Sequence, residues 1–283
     1  MDEQIPKSEL ILNSDGSMYH LGILPEELPP ILFLVGDPER VPLVSAFFDS
    51  ISRKNAKREF VSHFGTLRGQ SVGVLSTGIG GDNIDIVLNE LQVLQSIDLK
   101  TRLPYKQKKD IKLIRLGTSG SVNPRIEVDS IVVSESAIGL DGLAWFYGAN
   151  EKSKAGEFME QVAWPSLRNT PYHTKAHSLL FEMTKEHFPP VHTLTANGFY
   201  RPQGRFLNEE IDPSMHWETL HRAGIDNLEM ETAAIYHLAN FYQIPALSIH
   251  AILANRASGR FSETPEKTVL KMIQAALDLF CIY

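Results

Sequence analysis

Cysteine is nearly missing from this chain: Cys281 is the single example among 283 residues. One thiol closes no internal disulfide, so the core must hold the fold, and a cytoplasmic location is expected. Long apolar runs are missing too. No stretch reaches the roughly 18 to 20 residues that a membrane span requires, and residues 1–10 lack the basic and apolar blocks of a secretory signal. Basic excess is absent as well. The formal net charge is −7, which argues against nucleic acid and anionic membrane as partners and in favour of small molecules. Glycine clusters occur, but none has G-x-G-x-x-G spacing with an acidic residue about 20 positions on, so a dinucleotide site is unsupported.

What is present suffices for a large core, since 43% of the residues are apolar and no break in composition marks a second domain. The expectation is a polar N-terminal arm over 1–18 and one α/β domain over 19–283, with an irregular insertion at about 146–174. Buried-strand runs at Ile31-Leu32-Phe33-Leu34-Val35, at 111–116, at 126–133, at 191–195 and at 246–253 alternate with helical periodicity. The clearest helix carries Ile84, Val87, Leu88, Leu91 and Leu94 on one face, and another is expected over 264–280. A hairpin with Gly69 in its turn is expected between 57 and 75, and a helix from Asn227 to about Tyr242.

Chemistry-bearing residues gather where these strands end. The run Ile114-Arg115-Leu116-Gly117-Thr118-Ser119-Gly120 places a guanidinium on a very apolar strand. Burying it is costly unless it meets an anion or a structural carboxylate, and at this point both partners are open. After the first strand, Gly36-Asp37-Pro38-Glu39-Arg40 can turn exposed amides and a helix N-terminus toward an anion, or can simply make a strand-to-helix turn. Ser76-Thr77-Gly78-Ile79-Gly80-Gly81 allows close backbone approach to a ligand. In the loop after 191–195, Phe199 and Tyr200 offer ring faces, Gln203 both donates and accepts, and Arg205 donates. Glu229 and Glu231 read either as caps of a helix or, at a pocket mouth, as acceptors for paired sugar hydroxyls.

Taken together, Gly36-Asp37-Pro38-Glu39-Arg40-Val41, Arg58-Glu59-Phe60, the 76–81 loop, Arg115 to Gly120, Phe199-Tyr200 with Gln203-Gly204-Arg205, and Glu229-Met230-Glu231 resemble the nucleoside phosphorylase superfamily. The nearest likeness is to its uridine phosphorylase branch, and it runs from about His20 to the last helix. The resemblance implies a mixed, twisted central β-sheet flanked by helices. It implies a phosphate site from Gly36, Arg40, Arg115 and Thr118, with Arg58 from a neighbouring subunit. Ribose would meet Glu231, Met230 and the neighbour's His20, and the base would meet Phe199, Gln203, Arg205, Glu229 and Arg256. Arg115, Thr118, Gln203 and Arg205 are the implied catalytic set.

The implied reaction is reversible phosphorolysis of uridine to uracil and ribose 1-phosphate, with inorganic phosphate as co-substrate and no other cofactor. A potassium ion at Glu59 and Ser76 between subunits, and a homodimer or trimer of dimers with shared sites, belong to the same pattern. Two features bear on the base. The chain has Asn255 and Arg256 where a purine enzyme would carry a proton-donating aspartate, and Pro202 precedes Gln203 where the family has glycine. The alternatives are a purine nucleoside phosphorylase or nucleosidase of the same superfamily, or a non-catalytic nucleoside-binding protein.

Overall fold

A computed structural model describes residues 4–148, 153–205, 207 and 212–281. Residues 1–3 of the expected arm, 149–152 of the insertion and Phe206 of the base loop lie outside the described residues. The chain clusters into two compact units, Met1–Ile114 with Phe280–Tyr283, and Arg115–Leu279.

In the first unit the elements are β1 (Ile31–Val35), α1 (Arg40–Ser45), β2 (Ser50–Lys57), β3 (Phe60–Leu67), β4 (Gln70–Ser76), α2 (Gly81–Ser96), β5 (Ile97–Asp98) and β6 (Leu103–Pro104). β1 runs parallel to β4 with Ile31 opposite Val72, while β4–β3 and β3–β2 are antiparallel. The sheet is therefore mixed, as expected. Every residue of β1 is buried, which is why it reads as a continuous apolar run rather than an alternating one. The expected hairpin is three strands joined by two-residue turns, Arg58-Glu59 and Arg68-Gly69. Arg68 and Gly69 both have positive φ, 52° and 76°, the backbone that tight hairpin turns require. On α2 the five apolar residues singled out from periodicity are all fully buried.

The arm is not loose. Leu10, Ser17 and Met18 are buried, and Arg102 Nη1 donates to the Leu10 carbonyl at 2.7 Å. Two apolar anchors and a long-range hydrogen bond outweigh the polar composition that suggested a free arm.

β7 (Lys112–Ser121) continues the chain into the second unit, which holds β8 (Ile131–Gly139), α3 (Ser153–Gln161), β9 (Tyr172–Lys175), α4 (Ser178–Thr184), β10 (Pro190–Thr195), α5 (Trp217–Arg222), β11 (Asn227–Glu229), α6 (Thr232–Tyr242), β12 (Ala246–Asn255), β13 (Arg260–Phe261) and α7 (Pro265–Phe280). Its strand order is β13-β12-β8-β10-β11-β7. β8, β10 and β11 are parallel to their neighbours in turn, whereas β11–β7, β12–β8 and β12–β13 are antiparallel. Phe158 and Val162 of the α3 segment pack with Leu194, Leu220 and Leu228 in one core cluster.

Three expectations need correcting here. β7 does not stop at Leu116 but runs through the glycines to Ser121, so Arg115 lies well inside the strand rather than near its end. The stretch Asn227–Glu229 is a strand, not the start of a helix, because it pairs with Thr193–Thr195 and with Gly120–Ser121; helix α6 begins at Thr232. The insertion is only partly irregular, since α3 covers the core and β9 pairs with the end of β8.

Candidate active site

In the first unit, the loops after β1 and β4 are stitched together. The Thr77 amide donates to the Val35 carbonyl at 2.8 Å, and a side-chain carbon on Gly36 would lie 3.6 Å from the Gly78 carbonyl oxygen. Asp37 Oδ1 accepts the Glu39 amide at 2.9 Å, which forms the turn that starts α1. Arg40 is the first residue of that helix, and it is half-buried. Arg58 stands exposed at the β2–β3 turn with φ 56°. Ser76 Oγ donates to the Glu59 carbonyl at 2.5 Å and accepts the Val61 amide at 2.7 Å, so this hydroxyl ties the hairpin to β4. His20 Nδ1 is 2.8 Å from Glu90 Oε1, and the His20 and Leu21 amides donate to the same carboxylate. A buried glutamate on α2 thus fixes the histidine ring.

In the second unit, three charged residues almost entirely out of water meet between β7 and the β11–α6 junction. Arg115 is 3% exposed, Glu229 4% and Glu231 5%. Arg115 Nη2 donates to Glu231 Oε2 and, at 3.4 Å, to Glu229 Oε2. Its Nε and Nη1 have no hydrogen-bond partner among the described residues. The structural carboxylate and the anion contact are therefore both real options for the same guanidinium, because two of its three nitrogens remain to be satisfied. Thr118, further along β7, is half-buried.

The two glutamates do different work. The Glu229 carboxylate accepts the Thr195 hydroxyl and the amides of Glu231 and Thr232, the latter two at 2.9 Å. It caps the start of α6 from the end of β11, which satisfies N–H groups that a helix start leaves open. Burial raises this carboxyl, but the Arg115 guanidinium and the hydrogen bonds outweigh it and hold it below the usual range. With its carboxylate oxygens so engaged, Glu229 meets Gln203 through its main chain: its carbonyl accepts Gln203 Nε2 at 3.4 Å. That hydrogen bond makes Glu229 a support for Gln203. Glu231 is the N-cap residue of α6, and half-buried Met230 precedes it.

The loop with Gln203 is held rigidly for an irregular segment. Gln203 is 4% exposed, and its carbonyl accepts Arg256 Nη2 at 3.3 Å. Arg205 Nε donates to the Phe199 carbonyl at 3.0 Å, and its guanidinium lies 3.8 Å from the centre of the Phe199 ring. One face of Phe199 is therefore covered by a cation rather than offered to a planar base. Burial, joined by the charge of Arg205, pushes Arg256 down to about 10. Two guanidinium groups this close favour an electronegative partner. Gly204 has φ +65°, and a side-chain carbon there would come within 2.0 Å of the Met215 carbonyl oxygen. Gly204→Ala should therefore displace Gln203 and Arg205 at a cost of about 1–3 kcal/mol in stability, read from thermal midpoints.

One residue of this cluster was not singled out from the sequence. His250 on β12 is fully buried, with Nε2 3.3 Å from Thr232 Oγ1 and Nδ1 unpartnered among the described residues. The signal was there, a polar side chain inside the apolar run 246–253, the same anomaly that marked Arg115. Burial, with the Arg115 charge acting the same way, holds His250 down at about 4. The unfolded chain takes up a proton near the ordinary 6.5 while the folded one stays neutral. Stability should rise with pH between about 4 and 6.5, by up to about 3 kcal/mol from this group. Thermal midpoints across that window check the sign.

Among the described residues no group of three or more His, Cys, Asp or Glu is placed to hold a metal ion, and no helix is long and apolar enough to cross a membrane.

The chain has known relatives in sequence and in fold. The uridine phosphorylase of Thermococcus kodakarensis is 27% identical over 285 residues, covering 99% of this chain and 92% of that protein. A DeoD-type purine nucleoside phosphorylase of Geobacillus kaustophilus is 29% identical over 262 residues, covering 92% and 96%. The crystal structure of a Trypanosoma brucei nucleoside phosphorylase, described as showing uridine phosphorylase activity, superposes with a TM-score of 0.82 at 28% identity, over 95% of this chain and 99% of that one. The family model described as "Phosphorylase superfamily" matches residues 30–282, across both units, and the chain belongs to that superfamily.

Proposed function

We propose that the protein catalyses reversible phosphorolysis of pyrimidine nucleosides, with uridine as substrate and uracil and ribose 1-phosphate as products. The observation that carries the reading is Arg115. It is a buried guanidinium with two unpartnered nitrogens, beside a carboxylate suited to sugar hydroxyls. A fork of N–H groups in a low-dielectric setting matches phosphate oxygens, and Glu231 can accept the 2′ and 3′ hydroxyls in a bidentate manner.

The chemistry follows from the charges. As the C1′–N1 bond lengthens, its electron pair goes to the base and leaves a cationic sugar. A phosphate oxygen then bonds C1′ from the opposite face, and the phosphate proton ends on uracil N1. Arg115 and Thr118 hold the nucleophile, with Gly36, Arg40 and Arg58 assigned to phosphate by the family pattern. Gln203 and Arg205 stabilise charge on the leaving uracil, with Arg256 behind them. Phe199 offers the base its free edge and face. Ribose is assigned to Glu231, Met230 and His20.

A purine reading is disfavoured by Asn255. Its side chain donates to the Asn123 and Ile126 carbonyls and accepts the Ala257 and Ser258 amides, so it has no proton to give to a purine N7. The exposed turn position of Arg58 supports an assignment to the neighbouring subunit of a homodimer or trimer of dimers. Glu59 and Ser76 as a potassium position, and the cytoplasm as location, rest on the family pattern and on the single, buried Cys281. Base release from uridine, thymidine, inosine and adenosine with phosphate tests the reading. Uridine cleavage is expected, and cleavage of inosine with uridine untouched would overturn it.

A further inference from the structure

Arg115 and His250 present two buried, unpartnered polar atoms to one small space. A side-chain carbon on Gly117 would sit 3.0 Å from His250 Nδ1 and 3.3 Å from Arg115 Nε, and neither atom has a hydrogen-bond partner among the described residues. Glycine is what keeps that space open. The two atoms are chemically complementary. An arginine Nε only donates, whereas a neutral imidazole has one donor and one acceptor nitrogen. Nε2 faces the Thr232 hydroxyl, and a proton placed there leaves Nδ1 with a lone pair directed at the space over Gly117.

We propose that His250 is a positioning residue for the phosphate step, whose Nδ1 accepts the Arg115 Nε–H when an anion draws the guanidinium away from Glu231. This rests on the reading of Arg115 as a phosphate ligand. Glu231 holds Nη2, and the Nε–H goes without an acceptor among the described residues, which is costly in a buried setting. The anion-bound arrangement gains the missing bond. It also fixes the plane of the guanidinium, so that the terminal nitrogens face the phosphate oxygens as a fork. A neutral acceptor achieves this without adding a negative charge that would repel phosphate. Thr232 completes the arrangement, because its amide is bound to the Glu229 carboxylate while its hydroxyl orients the ring.

The test compares two side chains of similar polarity that place their amide differently. His250→Asn carries a polar atom near the Nδ1 position, and His250→Gln carries one near Nε2. Inorganic phosphate binding is measured by calorimetry without nucleoside, with KM for uridine at saturating phosphate and thermal midpoints alongside. For the Gln variant the phosphate Kd is expected to rise on the order of tenfold or more, with the Asn variant within about threefold of wild type and KM for uridine nearly unchanged in both. Gly117→Ala should reproduce the Gln effect, and the Gly117→Ala/His250→Gln pair should add little to either alone. Equal loss in the Asn and Gln variants, or loss in neither, would overturn the proposal. So would a wild-type protein that fails to bind phosphate. A wild type that binds phosphate but leaves uridine uncleaved would defeat the functional reading alone, since the comparison of phosphate affinities stands without the reaction.

Discussion

Arg115→Ala is expected to lower kcat/KM for uridine phosphorolysis by on the order of 10²- to 10³-fold or more, the loss typical of a single donor aimed at transition-state charge. The size follows from burial. At 3% exposure the guanidinium acts where water cannot substitute for it. The same substitution should cost stability, because Glu229 and Glu231 would remain buried without their cation, a situation that costs about 3–5 kcal/mol. The two effects can be separated by pH. In wild type the folded Glu229 carboxyl lies below its ordinary value, so its contribution is present above the unfolded pKa and lost as pH falls through the folded one. Without Arg115 the opposition to burial weakens, so that carboxyl rises and its contribution shrinks. The stability gap between variant and wild type should therefore widen as pH rises through about 4.5. A gap that narrows instead would mean that Arg115 does not stabilise the glutamates.

Glu231→Gln should act on the other substrate. A carboxylate accepting two hydroxyls makes charge-assisted hydrogen bonds worth about 1.5–3 kcal/mol each, so kcat/KM for uridine should fall by on the order of 10²-fold or more. Phosphate affinity should hold or improve, since Arg115 loses the partner that competes for it. Direct phosphate titration of the variant, together with uridine and 2′,3′-dideoxyuridine kinetics, checks both parts. Wild type should strongly prefer the intact ribose and the variant should not. A variant that still discriminates as wild type does would remove Glu231 from the ribose site.

The opposed signs come from one contact. Arg115 is bound to Glu231, so under the proposed assignments each substrate would free the residue that the other needs. Coupling of this kind is reciprocal.

Much of this was legible in the residues, for a physical reason. Arg115 inside an apolar strand and Gln203 beside Arg205 are expensive placements, and expensive placements mark sites. Periodicity found α2 and α7 because their apolar faces repeat over 16 residues each. It mistook Asn227–Glu229 for helix because three residues are too few to show an alternation, and their strand identity is set by β10 and β7. It missed the buried anchors of the arm, since Leu10 and Met18 stand alone among polar neighbours. The capping role of Glu229 was one of two local readings, but its ion pair with Arg115 and the space over Gly117 were invisible for a related reason. Both depend on residues more than 100 positions apart being brought together, Arg115 with Glu229 and Gly117 with His250, and no local pattern encodes that.

The most direct test of the central claim is uracil release from uridine by the wild-type protein, with and without inorganic phosphate. Release should require phosphate and yield ribose 1-phosphate in equal amount. Release at the same rate without phosphate, yielding free ribose, would show that Arg115 does not hold the nucleophile.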